Sequence, residues 1–323
     1  MRRLIVFKNR YGEIRSGWAI ALSLLALTMA QMIVGIIVGI YIVITVGLGD
    51  IQRYMEAVIG ASSGNLVLLM SNLLTIGAAL LLFKLLYKRP FKCMGLSSKK
   101  ALRELIYGCL FGIASISFVF AVLLISGQAK IENVNLSVVF TSSFIMSLIA
   151  FIMVGFGEEI LTRGFMMTAL KTTRNKIVIL TGTSVIFSLM HLFNPNTTFL
   201  SLVNIFLVGL LFAYLFVKTG KLWWPIGYHI TWNFFQGNIF GMNVSGIKTL
   251  KLIDSRFVGA EWITGGAFGA EGGIVVTLVI VLGLLFIRYG IKTPENREWT
   301  MESDLPLTRT AAVISEQTEE SGE

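Results

Sequence analysis

Histidine is nearly missing from this chain: of 323 residues only His191 and His229 are histidines. The contiguous His-Glu-x-x-His pattern of helical zinc sites is therefore absent. Cysteine is as scarce, with Cys93 in a Lys-rich loop and Cys109 at the start of an apolar stretch. Two such residues give neither a disulfide framework nor thiolate metal-ligand spacing, and both are expected as free thiols. Charge is sparse as well, at 14% of residues against 55% hydrophobic, with a mean hydropathy of +0.77. That balance excludes a soluble globular domain and implies a polytopic membrane protein. No Gly-rich phosphate loop, C-terminal lipidation box or internal repeat is evident.

What is present is a series of eight apolar stretches, at roughly 18–48, 63–87, 105–127, 137–170, 177–193, 197–217, 222–240 and 273–288. About 20 residues cross the hydrocarbon, so the first and fourth are over-long and the fifth is barely long enough. The expected fold class is an all-α polytopic membrane protein of about eight transmembrane helices, multi-pass in the plasma membrane, with both termini cytoplasmic. The net charge of +9 fits that orientation: 21 basic residues fall in segments placed inside, and five, Arg53, Lys130, Lys248, Lys251 and Arg256, fall outside. The charge thus follows topology, and no nucleic-acid partner is implied. The basic first 15 residues precede an apolar run of about 30, too long for a signal-peptide core and expected to remain as an anchor.

Four regions follow. Residues 1–136 form an N-terminal three-helix membrane region, 137–242 the core that carries the buried polar groups, and 243–292 an external loop and last transmembrane helix. Residues 293–323, mixing Glu, Ser and Thr, are expected as a disordered cytoplasmic tail. The Gly-rich segment 241–273 also holds Phe257, Trp262, Ile263 and Phe268, so it is expected to be an external loop with an interfacial or re-entrant piece.

Three motifs in the core carry chemistry. In Gly157-Glu158-Glu159-Ile160-Leu161-Thr162-Arg163, Glu159 and Arg163 stand four residues apart on one helical face, the spacing of an internal ion pair. Glu158 is turned about 100° away and stays available as a base. Isolated, each of these charges would cost about 2.5–3.5 kcal/mol at mid-bilayer, so they must be paired or used. Phe187 and His191 repeat the four-residue spacing, as do His229 and Asn233, with Gln236 one turn on. Imidazole and amide donors on one face can steady a developing oxyanion. Read singly, each motif is equally an ion-paired helix end or a polar seam between helices. The nearby Trp223, Trp224, Tyr228 and Trp232 read as an interfacial belt.

Read together, the ordered set Glu-Glu-x-x-x-Arg, Phe-x-x-x-His and His-x-x-x-Asn at 158–163, 187–191 and 229–233 resembles the CAAX-protease and bacteriocin-processing family, also called the Abi family. The resemblance covers roughly residues 137–242. It implies a type II CAAX-protease-like intramembrane endopeptidase whose substrate is a peptide or protein in or at the bilayer, cleaved near its C-terminal or membrane-proximal part. Carried over, Glu158 and His191 activate a water, His229 and Asn233 form the oxyanion hole, and Glu159, Arg163 and Phe187 support them. No cofactor is required in that scheme. An older view of the family makes it metal-dependent, in which case Glu158, His191 and His229 would bind Zn²⁺ with water in the fourth position.

Other classes remain open on sequence alone. A proton-coupled transporter could use buried Glu, Arg and His, but the first three spans show no counterpart of the motifs. A bis-histidine haem protein and a non-catalytic membrane scaffold or immunity factor are further alternatives. Substrate identity and oligomeric state are not legible. Depth is the exposed point of the enzymatic reading. Counted from Ser137, Glu158 lies about 30 Å along its span, whereas His191 lies only about 20 Å from the inner end of its own. A later start near Met146, a bend at Gly155 and Gly157, or a deeper fifth span would reconcile them.

Overall fold

The computed structural model describes residues 6–9, 12–46, 61–295, 297, 299 and 300. Arg2, Arg3, Arg10, Arg53 and Arg309 of the charge count, and the tail from Met301, lie outside the described residues. Among the described residues there are eight helices of 12 or more residues. They are α1 (Ser16–Val46), α2 (Ala61–Tyr87), α3 (Ala101–Ile125), α4 (Ser142–Glu159), α5 (Lys176–Met190), α6 (Phe199–Thr219), α7 (Trp223–Phe234) and α8 (Ile274–Gly290). A π-helical turn, Ile160–Met166, carries α4 on into Met167–Leu170, and a second, Phe235–Ile239, extends α7. Helices α1, α2, α3, α4 with its continuation, and α6 are long and apolar enough to cross a membrane, and α5 and α8 are shorter apolar helices. The chain is a polytopic, mainly helical membrane protein. Its outward faces agree: Met29, Met32, Ile36, Ile40 and Tyr41 of α1 are each more than half exposed, a surface that lipid solvates and water does not.

Local signals set the helix ends. Thr141 accepts the Phe144 N–H at 3.3 Å to start α4, and Asn175 accepts from Ile177 and Val178 to start α5. Thr198 and Ser201 form a reciprocal capping box before α6. Gly220, in the left-handed region at φ 72°, ends that helix.

Two expectations are corrected. The fourth span begins at Ser142 and not at 137, because Leu136–Phe140 forms a separate short 3-10 turn before the Thr141 cap. A small two-stranded sheet accompanies the helices: β1 (Ala129–Val134) pairs antiparallel with β2 (Ile253–Phe257), so the 241–273 segment carries a strand as well as the short helical turn Glu261–Thr264. Second, the chain after Thr293 does not begin as a disordered tail. Trp299 is fully buried against Phe216, donates its indole N–H to Thr168 Oγ1 at 3.0 Å and lies under the Lys171 ammonium. Arg297 reaches the Val217 carbonyl at 2.6 Å. An aromatic socket formed by two non-adjacent helices gave no signal in local composition.

Small residues let α3 and α7 touch backbone to backbone. A Cβ at Gly108 or Gly112 would overlap main-chain atoms of Trp224 or Tyr228, and one at Gly227 would overlap the Leu105 carbonyl. Thr231 Oγ1 donates across the same seam to the Cys109 carbonyl at 3.0 Å. Gly112→Leu is expected to destabilise the fold by about 1–3 kcal/mol and to displace α7. Thermal unfolding in detergent checks this, and a variant as stable as wild type would contradict the seam.

Candidate active site

The α4 motif is built around a fully buried guanidinium. Arg163 Nη1 donates to Glu159 Oε1 at 2.9 Å and to Thr162 Oγ1 at 2.7 Å, and Nη2 donates to the Gly209 carbonyl of α6 at 3.1 Å. Its charge lies over the Phe187 ring at 4.3 Å and the Phe212 ring at 5.3 Å. The Phe of the second motif therefore serves two neighbours. It covers Arg163 on one side and packs on His191, at 4.9 Å between centroids, on the other. Gly155 and Gly157 serve close packing. They admit Ile230 and the Asn72 side chain, whose atoms a Cβ would strike. The depth discrepancy closes at the α4–α5 turn: Glu158 lies 15 residues, about 22 Å, before Thr173, and α5 runs about 22 Å from Lys176 before His191 follows its last residue.

Both histidines turn one ring nitrogen to the protein and the other to Glu158. His191 Nδ1 is 2.8 Å from the Phe187 carbonyl, which can only accept, so Nδ1 carries the hydrogen and donates it. His229 Nδ1 is 3.1 Å from Glu159 Oε1, itself held by Arg163, so it too is a donor. The two Nε2 atoms each lie 3.9 Å from Glu158 Oε2. That atom has no hydrogen-bond partner among the described residues. A separation of 3.9 Å is too long for a direct hydrogen bond and within the span of one bridging water. The ring of His229 is further steadied by stacking on Phe212, at 5.3 Å and 26°.

Glu158, His191, His229 and Asn233 all line one cavity of about 570 Å³. Glu159 and Arg163 sit behind it, and Phe187 forms part of its wall. Helices α1 and α2, outside the motif-bearing core, supply Thr28, Gln31, Ser71 and Asn72 to the opposite wall. Two sequence readings change here. Tyr228 and Trp232 are buried, at 1% and 5% exposure, and Trp232 lines the cavity, so they are packing and wall residues and not an interfacial belt. Gln236 does not continue the stripe into the cavity: its Nε2 donates to the Asn243 carbonyl and to Glu271 Oε2.

Glu271, missed in the sequence because it stands in a Gly-rich loop, also reaches the cavity wall. Asn204 holds its backbone, donating to the Glu271 and Gly273 carbonyls at 2.8 and 2.9 Å while accepting from Thr277 Oγ1 at 2.6 Å. A lone Asn in an otherwise apolar α6 was the available signal. Burial pushes the Glu271 carboxyl up from 4.5 to about 7, opposed by the hydrogen bonds from Gln236 and Ser245. The folded state thus holds this proton more tightly than the unfolded chain. The stability it contributes is fully present below pH 4.5 and is lost as pH rises to about 7, a loss of about 3 kcal/mol. Glu271→Gln is expected to unfold like wild type at pH 4 and at higher temperature than wild type at pH 8. Equal pH slopes for the two proteins would contradict the assignment.

As for a metal, the donors facing one another are two imidazole nitrogens and one carboxylate oxygen, the chemistry of a zinc site. Each ring also has its Nδ1 engaged by a carbonyl or carboxylate, the outer partnership that zinc-binding histidines use. Among the described residues, however, no group of three or more His, Cys, Asp or Glu has metal-site spacing.

No curated protein and no solved structure matches the chain. A family model does: that of the type II CAAX prenyl endopeptidase, Rce1-like, over residues 139–235, a stretch that contains all three motifs and both histidines. Over this core the chain is similar to the CAAX-protease family of membrane endopeptidases.

Proposed function

We propose that this protein hydrolyses a peptide bond within the membrane with a water activated by Glu158 and His191, and that His229 and Asn233 stabilise the oxyanion. The observation that carries the reading is the convergence of both Nε2 atoms on Glu158 Oε2, at 3.9 Å each, inside a cavity. With Nδ1–H committed to Phe187, the neutral His191 ring presents a lone pair at Nε2. A water between it and Glu158 loses a proton as its oxygen attacks the scissile carbonyl carbon. The C–N bond then breaks, and the same proton passes to the departing amine.

His229 plays a different part, set by Glu159. With Nδ1–H directed at that carboxylate, Nε2 can donate to an oxyanion only when the ring is doubly protonated. An imidazolium there would stand among two carboxylates, Glu158 and Glu159, and one guanidinium, Arg163. Asn233 supplies a second, uncharged donor.

Zinc-dependent hydrolysis is a second reading, favoured by the engaged Nδ1 atoms of both rings. Glu158, His191 and His229 would hold the ion, which would polarise the carbonyl and lower the pKa of its water. The test is cleavage of a mixed membrane-peptide library by purified protein, with and without a strong chelator, alongside His191→Ala and His229→Ala. Cleavage that survives chelation and is lost in both variants supports the glutamate–histidine reading. Loss in chelator with restoration by Zn²⁺ supports the metal, and a folded wild type that cleaves nothing speaks against the protease. The eight-span arrangement with cytoplasmic termini belongs to the same proposal.

A further inference from the structure

The two ends of the helical bundle differ in charge. At one end lie the α2–α3 connection, with Lys88, Arg89, Lys92, Lys99 and Lys100, the α4–α5 connection with Lys171 and Arg174, the α6–α7 connection with Lys221, and Lys292 and Arg297 after α8. At the other end the described cations are Lys130, Lys248, Lys251 and Arg256. Two of these are neutralised locally, Arg256 by Glu132 at 2.9 Å and Lys251 by Asp254. The asymmetry marks the first end as cytoplasmic.

The cavity belongs to the opposite end. Helix α2 contributes to it from Val67 to Thr75 but nothing from its last three turns, and α4 contributes nothing beyond Leu161 although its continuation runs to Leu170. From α5 come only residues at and after its end, beginning at Phe187, and from α8 only Val276 and Ile280 of its first turns. No residue of the three basic connections lines it. Its rim carries Phe193, 93% exposed, and Ile247, 39% exposed, both on connections at the weakly charged end, while the exposed Leu189 of α5 and Thr28 and Gln31 of α1 line its side. Towards the basic end the space below Glu158 is filled: Phe83, Tyr87, Met94, Phe165 and Leu222 are all buried in one apolar cluster, and Trp299 closes it.

From this we infer that the site opens to the non-cytoplasmic face of the membrane and is sealed from the cytoplasm. Resting on the protease reading, its substrate class is a membrane-tethered peptide whose scissile bond lies on the non-cytoplasmic side or in that half of the bilayer. A cytoplasmic lipidated tail does not reach Glu158, because the buried aromatic cluster lies between them. The lining agrees with an extended chain arriving past an apolar rim: Asn194 and Ser245 stand near the mouth, and Ser71 and Asn72 lie deeper in.

Accessibility tests the orientation without catalysis. In a Cys93→Ala, Cys109→Ala background, single cysteines are placed at Lys248, Lys100, Phe193 and Ser71 and treated with a small membrane-impermeant thiosulfonate, in intact cells and in inside-out vesicles. Lys248→Cys, Phe193→Cys and Ser71→Cys are expected to react in intact cells, and Lys100→Cys only in inside-out vesicles. Reaction of Phe193→Cys or Ser71→Cys only from the Lys100 side overturns the inference. So does reaction of Lys248→Cys only in inside-out vesicles. Phe193→Cys keeps the test decisive if the deeper Ser71 site reacts slowly from both sides. A second arm supplies single-span peptides with a cleavable segment on one side or the other. Cleavage on the non-cytoplasmic side alone, lost in Glu158→Gln, supports the substrate class, and cleavage on the cytoplasmic side alone overturns it. If neither peptide is cleaved while labelling follows the expected pattern, the protease reading fails and the orientation stands.

Discussion

Glu158→Gln is expected to lower kcat by about 10²–10⁴-fold, the usual worth of a positioned general base, while leaving the protein folded. Glutamine keeps the shape of the side chain but cannot take the proton of a water placed between it and His191. The fold should not suffer, because Glu158 Oε2 makes no hydrogen bond among the described residues. Removing the charge also relieves the cost of holding a carboxylate in a low-dielectric site. Single-turnover cleavage measured beside thermal unfolding separates the two effects. Activity within a few-fold of wild type would remove Glu158 from the mechanism, whatever the stability.

Arg163→Ala acts in the opposite sense, on the fold before the chemistry. Arg163 is fully buried, so its loss strands Glu159, also fully buried, as an uncompensated carboxylate, and leaves the Gly209 carbonyl without its donor. A destabilisation of about 3–5 kcal/mol is expected, of the size seen when one partner of a buried ion pair is deleted. Arg163→Lys should recover only part of it, since a single ammonium cannot reach Glu159, Thr162 and Gly209 together while lying flat on Phe187. Arg163→Met with Glu159→Gln should restore much of the stability by removing both charges. It should not restore activity, because His229 Nδ1 then faces an uncharged amide and its doubly protonated form loses its counter-charge. Unfolding midpoints and cleavage rates for the single and double variants check this directly. A single Arg163→Ala protein as stable as wild type would mean that Glu159 is not held by this pair.

These expectations show which parts of the site were legible beforehand. The Glu159–Arg163 pair could be read because four-residue spacing on a helix is a local property, and the π-helical turn that begins at Ile160 leaves the contact in place. The common face of Phe187 and His191 could be read for the same reason. The stacking of Phe187 on Arg163 could not, since it joins residues 24 positions apart on different helices. The His229 tautomer was likewise out of reach, because its Glu159 acceptor is set by how α4 and α7 approach one another, whereas the Phe187 carbonyl that decides His191 lies one turn back in α5.

By itself, the sequence determined the membrane class, the helical segments, the motif residues and the asymmetry of basic charge, because hydropathy, helical period and loop composition act over a few to about twenty residues. Only the tertiary structure decided the rest. The span that enters at Ser142, the burial of Trp299 in a socket between helices, the recruitment of Glu271 and Asn204, and the end of the bundle at which the cavity opens all depend on contacts between distant segments. Packing of close-fitting helices, through glycines that meet backbone and polar groups that must find partners in lipid, selects those contacts.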